Sequence, residues 1–390
     1  MDVQGGIGFN RDRLTWVAYV VLAWFAFLQA APGLVMPHLR NELGLSYATG
    51  GLHVAAFAGG SMVAGLISGG LERVLGRRML LWSGATLMST AVIGLTAGSL
   101  AEVTIGSVLV MGLGGGLLLV AVQAVLADRH GERRSIALTE ANVAASIGYL
   151  LLVVALSLAA ALHAGWRLAL VISLAVPLLT WWSNRRLSID APPPSPETNG
   201  RLPGVVWIAA GMLFCTTAAE WSVIAWGASF VTTSTNVTAE SAVTLMAGYF
   251  GGVLAGRTLG SRLARAHDAA RLLALALAIA AAGFATFWPS TTPEQALIAL
   301  VLLGVGLGNL YPLGTSMTIA LAPGRAASAS GRVVAVTAFA GILAPITVGP
   351  LADATSLSAA LLVVPGLLAV AAAGLIIIVR SRPIERSSPA

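Results

Sequence analysis

Apolar residues along this chain neither alternate nor mark one face of amphipathic helices. They run in long stretches broken by short clusters of charged and turn-forming residues. The stretches fall at 15–37, 47–69, 79–98, 103–126, 136–160, 166–184, 205–231, 239–260, 271–289, 294–320, 330–352 and 356–379. A helix needs roughly 20 apolar residues to cross the hydrocarbon core, so the stretches predict an all-α membrane protein of twelve transmembrane helices. Composition agrees: 57% of the 390 residues are hydrophobic and 10% are charged, with a mean hydropathy of +0.86, which excludes an ordinary water-soluble globule. Arg11 and Arg13 before the first stretch, with Ala30 and Ala31 near its end, also fit a cleavable leader. That stretch has a counterpart later in the chain, so it is expected to stay.

The counterpart comes from an internal repeat. A shift of 192 residues places Gly59 and Gly60 on Gly251 and Gly252, and Gly112, Gly114 and Gly116 on Gly304, Gly306 and Gly308. Six stretches per half in the same orientation predict two pseudo-symmetric six-helix bundles that rock about a midplane site. Residues 1–189 are expected to form the first bundle, the Pro-rich polar segment 190–204 a cytoplasmic connector, and 205–390 the second bundle and a tail. Gly65 with Gly69, Gly112 with Gly116, Gly252 with Gly256 and Gly304 with Gly308 are small-residue pairs that let helices approach closely.

All 22 basic residues are Arg and the net charge is +6. With both termini in the cytoplasm, Arg40 and Arg167 alone fall outside, so Arg73, Arg77, Arg78, Arg129, Arg133, Arg134, Arg185, Arg186, Arg257, Arg262, Arg265 and Arg271 read as topology signals. Nucleic-acid binding thereby loses its support. Trp16, Trp82, Trp166, Trp181, Trp182, Trp207 and Trp288 sit near stretch ends as interfacial anchors. The single cysteine, Cys215, allows neither an internal disulfide nor a thiolate metal cluster. No P-loop, H-E-x-x-H site or plausible catalytic triad occurs outside the membrane, so an enzyme, an ATP-driven pump, a metal site and a cofactor are all unexpected. Arg-only basic usage with abundant Ala and Gly suggests a GC-rich bacterial source and hence the cytoplasmic membrane.

Twelve stretches in two halves, a basic 2–3 loop, a Gly-rich fourth stretch and Gly165-Trp166-Arg167 together resemble the major facilitator superfamily. The resemblance covers essentially the whole chain. Its signature after the second span aligns with Gly69, Gly76, Arg77 and Arg78 in GGLERVLGRR, but Arg73 occupies the acidic position. The resemblance implies that an acid there docks at the start of the eleventh helix; Glu72 is the available substitute, about 100° away around a helix. Val108 stands where the family has an Arg, and NVAASIGYLLL lacks the Gly-Pro of drug/proton antiporters.

Glu220 lies deep within the seventh stretch. A charge at that depth costs at least about 2.5–3.5 kcal/mol, so it is expected to face a cavity, find a partner or be protonated. It either loads and releases a proton or forms a fixed pair with an Arg. Gln29 is within one residue of its repeat counterpart and is expected to hydrogen-bond substrate. Asn309, followed by Tyr311 and Pro312, either supplies cavity ligands or bonds between helices. Trp24, Trp221, Trp226 and Tyr249 are intramembrane aromatics that either stack on substrate or pack the core. Glu140 and Arg332, 192 apart, are expected to meet in a cytoplasmic gate. His53 either assists proton transfer or bonds at the interface. The expected function is a monomeric secondary transporter of a small organic solute, coupled to protons. Drug or metabolite efflux is the alternative, and a transporter-like sensor the remote one.

Overall fold

The structure, a computed structural model, describes residues 10–187, 189, 202–264, 266–322 and 325–381. Most of the expected 190–204 connector and the tail beyond 381 lie outside the described residues. The first half contains α1 (Arg13–Leu34), α2 (Met36–Leu43), α3 (Tyr47–Leu75), α4 (Arg77–Ala97), α5 (Ala101–His130), α6 (Arg134–Ala161), α7 (Gly165–Ser173) and α8 (Ala175–Asn184). The second contains α9 (Gly204–Thr235), α10 (Ala239–Leu263), α11 (Ala269–Phe287), α12 (Pro293–Ala320), α13 (Ala326–Ala354), α14 (Leu357–Ala360) and α15 (Val363–Ser381). The face where α1 begins and α15 ends is here the terminal face; the opposite one is the distal face.

Eleven spans among the described residues are long and apolar enough to cross a membrane. The twelfth expected position is filled by α10, which is 25 residues long but more polar. It packs against α6, α9 and α12, and a helix so surrounded needs less apolar surface of its own. Two expected spans are broken. Pro177 cannot donate to Ser173, and α7 ends there; Pro365 cannot donate to Leu361, between α14 and α15.

The repeat is reproduced down to single atoms. A Cβ added to Gly112 would lie 2.0 Å from the Phe57 carbonyl oxygen, and one added to Gly304 would lie 2.0 Å from that of Tyr249, 192 residues on. A Cβ added to Gly60 would lie 2.2 Å from the Leu109 carbonyl oxygen, and one added to Gly252 would lie 2.4 Å from that of Val301. These four glycines bring α3 onto α5 and α10 onto α12 backbone to backbone. Ser46 and Thr238, also 192 apart, cap α3 and α10 by accepting from the main-chain N–H groups of Thr49 and Ser241.

The distal end of the first half is tied by Glu42 of α2. Its carboxylate accepts from Trp166 Nε1 at 2.9 Å and from Arg167 Nη1 and Nη2 at 3.0 and 2.6 Å. The Arg167 guanidinium also lies 4.5 Å from the Trp166 ring centre. Burial pushes the Glu42 carboxyl up, but the bonds from Arg167 and Trp166 outweigh it and hold the group below its ordinary value. A depressed carboxyl contributes stability above its unfolded value of 4.5 and loses it as the pH falls through the folded value.

Two outcomes follow from this packing. Gly304→Ala should lower unfolding stability in detergent by about 1–3 kcal/mol through overpacking. Gly251→Ala, with nothing within 4 Å, should be neutral or slightly stabilising in the same melting assay. For Glu42→Gln, melting curves should show lower stability than wild type at pH 7 and a gap that narrows below pH 4.5; a constant gap would show that the carboxylate charge is irrelevant.

Candidate functional site

Glu220 sits midway along the 32-residue α9, and its side chain is half-buried within the bundle. Neither a hydrogen bond nor an ion pair within 4 Å engages its carboxyl among the described residues. The charge that bears on it is Arg257 of α10. Arg257 is a correction to the sequence reading, where it stood among the topology signals. Its guanidinium turns into the bundle, donating from Nη1 to Ser146 Oγ of α6 at 3.0 Å and from Nε to the Gly308 carbonyl of α12 at 3.2 Å. Both acceptors are neutral, so the cation is anchored without being neutralised.

Three tyrosines surround the pair and feel both charges: Tyr149 of α6, Tyr249 of α10 and Tyr311 of α12. Tyr149 donates to Gln29 Oε1 of α1 at 2.5 Å and stacks on Phe250 across the halves with ring centres 5.2 Å apart. The Tyr249 hydroxyl and the Thr217 hydroxyl, three residues before Glu220, are buried without a partner. Gln29, Glu220, Tyr249 and Tyr311 are thus brought together, with Arg257 and Tyr149 as members the sequence reading missed. Trp221 follows Glu220 in the chain, and its ring lies 6.5 Å from that of Phe57 across the interface between the halves.

Other expected members lie elsewhere. Trp24 is buried inside the first half, its Nε1 donating to Ser173 Oγ at 3.3 Å. Asn309 is wedged between α12 and α10: its amide donates to the Val305 carbonyl of its own helix at 3.0 Å, and Gly256 and Gly260 make room for it. Small glycines opposite a long side chain make this a packing contact. Trp226 is fully buried near the distal face, edge-on to Tyr47 with ring centres 5.6 Å apart. His53 is buried, with ring nitrogens 2.8 Å from the Thr49 carbonyl and 2.8 Å from Thr104 Oγ1; it is internally satisfied.

The expected gate is also rearranged. Glu140 pairs with Arg11 at 2.6 Å and accepts from the Tyr19 hydroxyl at 3.1 Å, whereas the Arg332 guanidinium lies 5.6 Å from the Trp207 ring centre. Each residue secures the first helix of its own half instead of bridging the halves. Glu72 pairs with Arg77 at 2.8 Å, and Arg77 with Asp128 at 2.7 Å, so Glu72 is engaged by its neighbour and not by the eleventh span. Arg73 donates to the Gly69 carbonyl of its own helix, Gly76 ends α3 with a φ of 75°, and Arg78 donates to the Arg185 carbonyl.

Closure between the halves lies at the distal face. Asp353, near the end of α13, accepts from the main-chain N–H groups of Tyr47 and Ala48 at 2.8 and 2.7 Å, capping α3 from the other half where its dipole favours an anion. Arg40 lies 3.5 Å from the centre of the Tyr47 ring. Gly51 and Gly349 let the backbones of α3 and α13 touch, with added Cβ atoms 2.4 and 2.6 Å from the Pro345 and Tyr47 carbonyls. Toward the terminal face Gly65, Gly69 and Gly70 of α3 and Gly331 of α13 meet nothing within 4 Å. A separate groove of about 750 Å³ between α11 and α15 is lined by Ala, Leu, Ile, Pro, Phe284 and Trp288. Its apolar lining has little with which to orient a polar solute.

A family model described as the Major Facilitator Superfamily matches residues 15–234 and 206–390. Among solved structures, the chain is similar to a bacterial homologue of the human lysosomal transporter Spinster in an inward-facing and occupied conformation, with a TM-score of 0.78, 15% identity, and coverage of 98% of this chain and 100% of that one. A mutant of the nucleoside transporter NupG gives 0.76 and 13%, covering 94% and 100%. A D-xylose-proton symporter gives 0.76 and 15%, covering 96% and 99%. At these identities the likeness establishes the fold. No curated protein sequence matches the chain significantly.

The distal closure makes a direct prediction. With spin labels at positions 45 and 356, Asp353→Ala should broaden the interlabel distances and move them outward, while Glu140→Ala should leave them unchanged.

Proposed function

Because the chain belongs to the Major Facilitator Superfamily, a family of secondary transporters and not of enzymes, we propose that it moves a small organic solute by alternating access, with Glu220 as the proton-loading group. One observation carries the reading: a carboxyl halfway through the bundle has no hydrogen bond or ion pair among the described residues and faces one half-buried, permanently charged Arg. A structural carboxylate at this depth would be bonded to its cation. One left free can exchange its proton whenever the chamber opens to water.

The remaining geometry supports a cycle. The distal seam holds the halves together through Asp353, while the glycines of α3 and α13 toward the terminal face stand clear. With the terminal face in the cytoplasm, this arrangement opens inward. Protonation of Glu220 removes its attraction to Arg257, and the tyrosine hydroxyls and Gln29 supply polar contacts for the solute. The working unit is a monomer in the cytoplasmic membrane, since each bundle pair encloses its own site.

In proteoliposomes loaded with a pH dye, a panel of solutes should contain one whose addition moves protons through wild-type protein. Glu220→Gln should abolish that proton movement and leave exchange of labelled solute in place. Proton movement at wild-type level in Glu220→Gln would eliminate the proposal.

A further inference from the structure

Arg257 poses a problem that proton coupling alone does not solve. A guanidinium stays protonated at any physiological pH, so the chamber carries a fixed positive charge. Its bonds to Ser146 Oγ and the Gly308 carbonyl fix its direction but occupy only part of the fork, and neither acceptor brings a negative charge. Glu220 is the anion available to it, yet the two do not touch within 4 Å. The other titratable groups facing them are Tyr249 from α10, Tyr149 from α6 and Tyr311 from α12. The first span adds the neutral Gln29, and α13 brings the neutral Thr337 to Tyr311.

We infer that the solute is an organic monocarboxylate, bound through its carboxylate by Arg257 in competition with Glu220. The inference rests on the assignment of Glu220 as the proton site. An empty chamber is electrically balanced when Glu220 is ionised opposite Arg257. A loaded chamber is balanced when Glu220 is protonated and the solute's carboxylate takes its place. Proton alone leaves an uncompensated cation and solute alone an excess anion, and each unbalanced state is penalised in a low-dielectric interior. Anion and proton therefore travel together, one for one, and the proton comes from whichever face the chamber opens to.

A single carboxylate is specified because one cation faces the site. The body of the solute is apolar or aromatic, since Tyr149 stacked on Phe250 and Trp221 beside Phe57 form the neighbouring walls. A neutral sugar would leave Arg257 unmatched, and a cationic amine would be repelled by it.

Calorimetry on the purified full chain tests this with matched probes: benzoate, phenylacetate and indole-3-acetate, their neutral amides, and benzylamine. At least one carboxylate should bind wild type, with one proton taken up as read from the buffer dependence of the heat, and the amides and benzylamine should not. Arg257→Gln should weaken carboxylate binding about 30-fold or more, the range for removing one partner of a buried charge pair. Arg257→Lys, which keeps the charge, should retain part of it, and ligand-free melting of both variants checks folding. Glu220→Gln should bind the carboxylate at least as well as wild type without proton uptake. Failure of every carboxylate to bind, binding of amides or benzylamine equal to the acids, or unchanged affinity in Arg257→Gln would each overturn the anion assignment. Carboxylate binding that depends on Arg257 but takes up no proton would instead count against the proton role of Glu220.

Discussion

A guanidinium held inside a membrane protein cannot discard its charge, and this constraint organises the centre of the molecule. Arg257 is anchored by a hydroxyl from α6 and a carbonyl from α12, so three helices from both halves fix where positive charge must lie. Everything that enters has to be compatible with that point. The free carboxyl of Glu220, the tyrosine hydroxyls and the Gln29 amide gain their roles from their distance to it. A fixed charge at that point favours partners of opposite sign over those that match by shape alone.

Around that centre the glycine contacts repeat in each half of the chain. Gly60, Gly112, Gly252 and Gly304 bring backbones together within each half, and such seams have no side chains that could repack gradually. Between the halves, glycines again bring backbones together at the distal face, at Gly51 and Gly349, and the contacts added there and elsewhere are aromatic rings, a carboxylate on main-chain N–H groups, and a hydroxyl pair between Ser157 and Thr244 at 2.8 Å. These inter-half glycine contacts lie at the distal face, while the glycines of α3 and α13 toward the terminal face are uncovered.

Much of this is legible in the residues. Long apolar runs betray the spans because lipid leaves the backbone no other partner, and the 192-residue offset falls on Gly60, Gly112, Gly252 and Gly304, which are backbone contacts, as well as on Gly59 and Gly251, which are not. Glu220 stands out because a lone acid in an apolar run is costly whether it serves as a proton site or as half of a fixed pair with an Arg. Arg257 hides because Arg262 and Arg265 follow it and the three together look like a topology signal. Its position four and eight residues after Val253 and Tyr249, on the buried face of α10, was the available clue. Tyr149 gave none: its bond to Gln29 joins residues 120 apart, which only the packing of α1 on α6 reveals. The Glu140 and Arg332 expectation failed for a related reason, since equal repeat positions give equal environments within each half and no contact between them.

Asp353 reaches across to the backbone of residues 47 and 48, and main-chain amides carry no memory of which side chains flank them. The identities at those positions can therefore drift without loosening the clasp, provided proline is avoided. When the clasp parts, water can take the place of both partners, so the Asp353 contact itself trades one set of hydrogen bonds for another. Opening at this point would therefore leave neither the carboxylate nor the two amides without a hydrogen-bond partner.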